Sequence, residues 1–182
     1  MEERIAKVVD IFQQVESRWA LIGAHAIGTL TQPRATADFD FVVEESKLRA
    51  ITKALEQTFG DLDVVDLGPA IRLRALDVDL IRSATHPLFR EALSHVRLVG
   101  EWRIPVPEVL IVLKFLAAVS PWRDPSKRMI DVADLRTLYL TVGREELDEE
   151  LVHRLAAQVY PGAADELEAL FGRIERGEPV TI

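Results

Sequence analysis

The alternation of hydrophobic and polar positions divides the chain into two parts. Over roughly the first 105 residues, short apolar runs typical of strands alternate with segments of helical periodicity. The predicted helices there cover residues 2–17, 24–30, 48–60 and 87–95, and the predicted strands cover 19–22, 38–43, 64–67, 71–81, 96–99 and 102–104. Beyond that point the pattern is helical, with helices predicted at 108–119, 127–140, 145–159 and 163–175. We therefore expect an α+β domain over residues 1–105, followed by a helical region over residues 106–182.

Composition narrows the class of protein without identifying a function. The 182 residues are 48% apolar and 29% charged, a balance that supports a sizeable buried core. The chain has no apolar run of the ~18 residues that a transmembrane helix needs, no signal-peptide pattern and no cysteine. We expect a cytoplasmic protein with no membrane partner. The net charge of −8 argues against broad binding to nucleic acid, which requires a basic face.

Two carboxylates lie two residues apart in the apolar segment Asp-Phe-Asp-Phe-Val-Val at 38–43. Residues i and i+2 of a strand point to one face, so Asp38 and Asp40 should project together, about 6.6 Å apart at ~3.3 Å per residue. Phe39 and Phe41 should point to the opposite face, into a core. Like charges repel, and Mg²⁺ relieves this repulsion by binding carboxylate oxygens. The pair therefore indicates metal-assisted phosphoryl or nucleotidyl transfer.

The segment upstream distinguishes this pair from Asp61/Asp63 and Asp77/Asp79, which have the same spacing. Most such pairs are solvated faces of edge strands, and we interpret Asp61/Asp63 as a solvated turn. Gly23, by contrast, ends an apolar run and begins a turn of small residues about fifteen positions before Asp38. Backbone N–H groups at such a turn, aided by the helix dipole, favour phosphate.

The string Ile-Gly-Ala-His-Ala-Ile-Gly, followed by Pro-Arg-Ala-Thr-Ala-Asp-Phe-Asp, resembles the nucleotidyltransferase fold of the DNA polymerase beta superfamily. Arg34, Thr36, Asp38 and Asp40 match the motif of its AbiEii-like toxin and minimal nucleotidyltransferase branch. The resemblance covers about residues 15–140. It implies a mixed β-sheet flanked by helices and followed by a helical region. The chain departs from the family at Gly23-Ala24, where Gly-Gly or Gly-Ser is usual.

The resemblance also implies a third carboxylate, on a neighbouring strand. The segment Ala-Leu-Asp-Val-Asp-Leu-Ile at 75–81 contains the candidates, with Asp79 as the expected residue and Asp77 as the reserve. Asp38, Asp40 and Asp79 would then be the catalytic residues and would ligate Mg²⁺, or Mn²⁺. Asp79 could also help to deprotonate the acceptor.

The remaining expected residues would bind the nucleotide: Gly23, Ala24, His25, Arg34, Thr36 and Lys114. For His25 a structural, hydrogen-bonded role is the more frequent alternative. Arg34 could clamp a triphosphate or orient Asp38 or Asp40. Lys114 lies in an apolar helix, where an unpaired ammonium is costly, so we expect it to reach a phosphate or an acid such as Asp131.

Two arginines, Arg72 and Arg74, are predicted on one strand face, where they could lean toward an acceptor or into solvent. The leading hypothesis is a metal-dependent nucleotidyltransferase that moves a nucleoside monophosphate from an NTP to a hydroxyl of an RNA, a protein or a small molecule. The AbiEii-like resemblance adds the possibility of a toxin, with tRNA or a protein as acceptor and an antitoxin partner. The alternatives are a catalytically weakened nucleotide-binding or partner-binding module on the same fold, and a structural protein with an acidic cleft.

Overall fold

A five-stranded mixed sheet forms the centre of the computed structural model, which describes residues 3–180. Its strands are β1 (Trp19–Ile22), β2 (Phe39–Val43), β3 (Val64–Asp66), β4 (Ala70–Leu73) and β5 (Val78–Arg82), in the order β1-β2-β5-β4-β3. β2 and β5 are parallel, and the other neighbouring strands are antiparallel.

Helices flank this sheet and make up the second part of the chain. The first four are α1 (Glu3–Gln14), α2 (Gly23–Gly28), α3 (Leu48–Phe59) and α4 (Pro87–Ser94), and the hairpin β6 (Val96–Val99) and β7 (Trp102–Pro105) follows them. The last four are α5 (Pro107–Val119), α6 (Pro125–Val142), α7 (Glu149–Ala156) and α8 (Ala163–Glu175). The predicted fold class, a mixed sheet flanked by helices and followed by a helical region, is confirmed.

One hydrophobic core extends from α1 to α8 and includes residues of both parts of the chain. The division into two domains at residue 105 stays a prediction. No helix within residues 3–180 combines the length and the apolar character needed to cross a membrane.

The two faces of β2 have opposite chemistry because strand side chains alternate. Phe39 and Phe41 are buried, and Phe41 packs edge-on against Phe12 of α1 and against Trp19, with ring centroids 5.2 and 5.9 Å away. Such pairs contribute about 0.5–1.5 kcal/mol beyond the area that they bury. The aromatic face therefore anchors β2 and fixes which way Asp40 points.

The single strand predicted over residues 71–81 is wrong. β4 and β5 are two antiparallel strands joined by a 3₁₀ turn at Arg74–Leu76, and Asp77 then adopts a left-handed conformation with φ of 50°. The turn removes Asp77 from the strand face of Asp79 and brings its carboxylate 3.4 Å from Arg4 of α1. Arg74 also leaves the face of Arg72 and lies 3.8 Å from Asp63.

Removal of the Phe41 side chain should destabilise the protein strongly. Phe41 is fully buried, and a Phe→Ala change in a core costs about 3–5 kcal/mol. Urea unfolding of Phe41→Ala should show this loss. Leu98→Ala, at a position that is 72% exposed, should stay within about 0.5 kcal/mol of the parent. Equal losses in the two variants would contradict the anchoring role of Phe41.

Candidate active site

Asp40 and Asp79 lie side by side at the centre of the sheet. They are register partners on the parallel strands β2 and β5, so both side chains project from the same face. Asp38 lies immediately before β2 and is exposed. Burial and the charge of Asp79 raise the pKa of Asp40 to about 6, and the charge of Asp38 also contributes. The charges of Asp38 and Asp79 thus act on Asp40, which carries the electrostatic cost.

Gly23 closes this site on the side of β1. Its predecessor, Ile22, is the register partner of Asp40 on the antiparallel strands β1 and β2. Gly23 has φ of +69°, and a Cβ at this position would lie 2.2 Å from Oδ2 of Asp40. Only glycine allows this backbone path together with this approach of the carboxylate. Ala24, the departure from the family motif, is buried.

Asp79 already has a cationic partner. Arg72 is its register partner on β4, and the guanidinium donates two hydrogen bonds, Nε to Oδ1 at 2.8 Å and an Nη to Oδ2 at 2.5 Å. By contrast, the carboxylates of Asp38 and Asp40 accept no hydrogen bond from residues 3–180. The three acids therefore differ in how readily they could bind a metal ion. Their spacing in the sequence does not reveal this difference.

Charged residues of alternating sign connect the helical region to this face. Nζ of Lys114 on α5 lies 2.8 Å from Asp131 and 2.7 Å from Asp134, both on α6. Arg123 pairs with Asp131, through its Nε and, at 3.3 Å, through an Nη. Arg34 donates two hydrogen bonds to Asp134, at 2.9 and 3.0 Å. We call these five residues the cation network, because three cations share two carboxylates.

The predictions for Lys114 and Arg34 have different outcomes. Lys114 is buried and paired with Asp131, as expected of an ammonium in an apolar helix. Arg34 does not orient Asp38 or Asp40 through an ion pair, because its guanidinium is bound to Asp134. It ties the segment before β2 to helix α6 instead. This ion pair holds the pKa of Asp134 below its ordinary range against the opposing effect of burial.

A cavity of about 640 Å³ lies between Asp40 and the cation network, and Asp38 and Asp79 do not line it. Gly23 and Asp40 line it on the sheet side, and Lys114, Arg123 and Asp131 line it on the helix side. Its remaining wall is largely apolar and includes Ile81, Phe89, Leu110, Leu113 and Trp122, the last with 95% of its surface exposed. The cavity therefore offers an acidic pole, a cationic pole and an apolar surface.

Four of the six expected nucleotide-binding residues do not line the cavity, namely Ala24, His25, Arg34 and Thr36. The ring of His25 stacks on Phe39 with centroids 3.7 Å apart and planes 6° apart, on the aromatic side of β2. His25 does not line the cavity, so the structural interpretation of this histidine agrees better with its position. Thr36 is half-buried in the irregular segment between α2 and β2.

The donor chemistry of Asp38, Asp40 and Asp79 fits a hard divalent cation such as Mg²⁺ or Mn²⁺. Asp40 is crowded by like charge, and Gly23 leaves room for its carboxylate where any side chain would intrude. Within residues 3–180, however, no three His, Cys, Asp or Glu side chains already have the arrangement of a metal site. Binding a cation would therefore require these carboxylates to adjust, and the ion pair with Arg72 opposes such a movement of Asp79.

Sequence reasoning missed Asp134 and Arg123 as site residues. Asp134 lies three positions after Asp131, a spacing that places both acids on one face of α6. This spacing could have revealed the double acidic partner of Lys114. Arg123 lies in the loop between α5 and α6, where no periodic pattern indicates a direction for its side chain.

Comparison with solved structures identifies the fold. ANT(2'')-Ia in complex with adenylyl-2''-tobramycin matches with a TM-score of 0.59 at 17% identity, over 86% of this chain and 97% of that chain. The solution structure of the antibiotic-resistance factor ANT(2'')-Ia gives 0.55 at 16% identity, over 96% and 94%. An antigenic nucleotidyltransferase-like protein from Paracoccidioides brasiliensis gives 0.54 at 16% identity, over 98% and 94%.

The likeness to these structures establishes a nucleotidyltransferase-like fold and, at such low identity, nothing finer. No protein-family model matches the chain, and no curated protein matches it significantly.

Gly23→Ala should lower the free energy of unfolding by more than the backbone strain of a left-handed alanine alone. A residue with a Cβ in the left-handed region costs about 1–2 kcal/mol, and here the Cβ would also displace the carboxylate of Asp40. Gly162→Ala is the matched control, since Gly162 has a left-handed backbone, with φ of 91° and ψ of −5°, and open space where a Cβ would lie. Urea unfolding should show an excess loss of about 1–3 kcal/mol for Gly23→Ala. Equal losses would contradict the close approach to Asp40.

Asp40→Asn should stabilise the metal-free protein at neutral pH. The pKa of Asp40 is about 6 in the folded protein, against an ordinary value of 3.8, so its charge opposes folding. This cost appears as pH rises from about 4 to about 6 and is constant above that window. In buffer with a chelator, the variant should be more stable by up to about 3 kcal/mol at pH 7.5, and the difference should vanish below pH ~4. A less stable variant at pH 7.5 would indicate a structural role for Asp40.

Proposed function

We propose that this protein is a metal-dependent nucleotidyltransferase that moves a nucleoside monophosphate from an NTP to an acceptor hydroxyl. The cavity carries the proposal, because it has Asp40 and Gly23 at one side and Lys114 and Arg123 at the other. A metal–triphosphate complex needs both kinds of group, carboxylate oxygens for the cation and cationic donors for the phosphates. The nucleotidyltransferase-like fold supports the same reaction class.

In this proposal Asp38 and Asp40 hold a divalent cation, and Asp79 completes the carboxylate set. The bound cation would neutralise charge on the phosphates during transfer. The residues of the chain itself position the reactants. The backbone at Gly23 and Ala24 would bind the phosphates together with Lys114 and Arg123, and Arg34 and Thr36 would hold the segment that leads into Asp38.

The transfer forms a bond between the acceptor oxygen and the α-phosphorus, and it breaks the bond from that phosphorus to the oxygen that bridges the α- and β-phosphates, so that pyrophosphate leaves. The proton of the acceptor hydroxyl must go to a base in the site. Asp79 is our candidate, since its carboxylate lies on the same face of the sheet as Asp40.

A small molecule with a hydroxyl group is the acceptor that we favour. The net charge of −8 disfavours an RNA, whose phosphates need a basic surface. The apolar wall of the cavity, with Phe89 and the exposed Trp122, suits a compact ligand. One structural neighbour was solved with adenylyl-2''-tobramycin, a nucleotidylated small molecule. The resemblance to AbiEii-like proteins suggests a second setting, in which the protein is the toxin of a toxin–antitoxin pair and modifies a protein or a tRNA.

Two observations favour a second candidate function, a nucleotide-binding module with weakened catalysis. Ala24 replaces a residue that in the family often brings a hydroxyl or a close backbone approach to the phosphates. Asp79 is held by Arg72 and is therefore less available as a ligand or base. Such a module would bind Mg²⁺ and NTP in the same cavity without releasing pyrophosphate.

A pair of variants tests the proposal. Each α-labelled NTP is incubated with Mg²⁺ and a panel of hydroxylated acceptors that includes tobramycin, and pyrophosphate release and label transfer are measured. Asp40→Asn should lower transfer by at least ~10²-fold, a loss of about 2.7 kcal/mol in transition-state stabilisation. It should also remove the thermal stabilisation given by Mg²⁺ with NTP, because a ligand stabilises only the state that binds it.

Asp63→Asn is the matched control, since Asp63 belongs to an exposed Asp-x-Asp pair away from the cavity. It should behave like the parent in both measurements. Mg²⁺-dependent NTP binding without pyrophosphate release would favour the binding module. A parent protein that is not stabilised by Mg²⁺ with any NTP would overturn both functions.

A further inference from the structure

The ion pair between Arg72 and Asp79 sets the third carboxylate apart from the other two. Asp79 is 8% exposed, and both of its oxygens accept hydrogen bonds from one guanidinium. Antiparallel pairing of β4 with β5 places the two residues directly opposite each other, so the contact is built into the register of the sheet. No residue within 3–180 gives Asp38 or Asp40 a comparable partner.

A cation that binds Asp79 must therefore compete with Arg72. The oxygens keep further lone pairs, but a metal ion at those positions would lie close to the positive guanidinium. Like charges at such a separation repel, and the repulsion on a divalent ion is about twice that on a monovalent one. The resting geometry thus opposes simultaneous binding of Asp79 to arginine and to metal.

The surroundings of Arg72 allow an exchange of partners. Its side chain is 37% exposed, so the guanidinium can move toward solvent or toward the cleft without unpacking the core. The three carboxylates and Arg72 together carry two net negative charges, which one divalent cation neutralises. A bound triphosphate then supplies new anionic oxygens, and a guanidinium binds these in the same forked manner as a carboxylate.

We propose that Arg72 is a positioning residue that holds Asp79 in the metal-free protein and releases it when a divalent cation and a nucleotide enter the cleft. The inference rests on the proposed function, because it assigns a partner exchange to the same site. Arg72 acts as an internal counter-cation that stabilises three crowded acids until the metal arrives. Its removal should therefore make the site easier to load with metal.

Metal affinity tests this without an activity measurement. Mn²⁺ binding is measured by calorimetry for the parent, Arg72→Met, Arg72→Lys and Arg74→Met. Arg72→Met should bind Mn²⁺ at least about fivefold more tightly, because the competing charge is gone. Arg72→Lys keeps the charge but loses the two-pronged contact, so it should also bind more tightly, to a smaller extent.

Arg74→Met is the matched control for the loss of one positive charge, since Arg74 lies 3.8 Å from the exposed Asp63 and does not pair with Asp79. It should bind Mn²⁺ within about twofold of the parent, because exposed charges are strongly screened. Weaker binding in both Arg72 variants would overturn the proposal, since it would mean that Arg72 orients Asp79 as a ligand. Unchanged binding in Arg72→Lys with tighter binding in Arg72→Met would also overturn it, because field strength alone would then explain the effect.

A spectroscopic measurement follows the partner exchange directly. The Nε–H resonance of Arg72 is assigned by its loss in Arg72→Lys, and Mg²⁺ is then added with a non-hydrolysable ATP analogue. We expect the chemical shift of this resonance and its rate of exchange with solvent to change, while the chemical shift of the Arg74 Nε–H stays the same. A signal of Arg72 that is unchanged at saturation would overturn the proposal.

The inference and the proposed function fail in different ways. If the parent binds Mn²⁺ and Asp40→Asn does not, the metal site stands, and the Arg72 variants alone decide the inference. If the parent binds no Mn²⁺ with or without nucleotide, the metal-dependent function fails, and the inference fails with it.

Discussion

Repulsion among carboxylates on the shared face of β2 and β5 is the constraint on which the rest of the site depends. Asp40 and Asp79 are register partners at the middle of the sheet, and Asp38 adds a third negative charge nearby. Such a cluster is unfavourable in a partly desolvated place unless cations compensate for it. The compensation comes from two directions, from Arg72 within the sheet and from the cation network of Lys114, Arg123 and Arg34 with Asp131 and Asp134.

This compensation also joins the two parts of the chain. Lys114 is buried on α5, and its ammonium is stabilised only because two acids on α6 reach it. Arg34, in the segment that leads to Asp38, binds one of the same acids. The position of the carboxylates at the cleft is thus coupled to the packing of α5 against α6. A change in the packing of either helix should therefore shift these carboxylates.

Gly23 and Arg72 show two ways in which the fold accommodates a carboxylate whose charge is unfavourable in a partly desolvated place. At Asp40 the fold leaves space, because the glycine turn allows the oxygen to come closer than any side chain would permit. At Asp79 it supplies a partner, through the register of β4 against β5. Asp40 therefore has no ion-pair partner that a cation would need to displace, whereas Asp79 is neutralised by Arg72 until a cation binds. Both of our proposals depend on this arrangement.

The sequence by itself determined the order and type of most elements, the strand face of Asp40 and the need for a partner near Lys114. These follow from local rules, namely periodicity, the alternation of strand side chains and the cost of a buried charge. Only the tertiary structure decided the turn at Arg74–Leu76, the separation of Asp77 from Asp79 and the partners of Arg34 and Arg72. The alternation of apolar and charged residues in 71–81 changes phase at Ala75–Leu76, but such a shift indicates a bulge as readily as a reversal of the chain. Ion pairs between residues distant in sequence depend on strand register and helix packing.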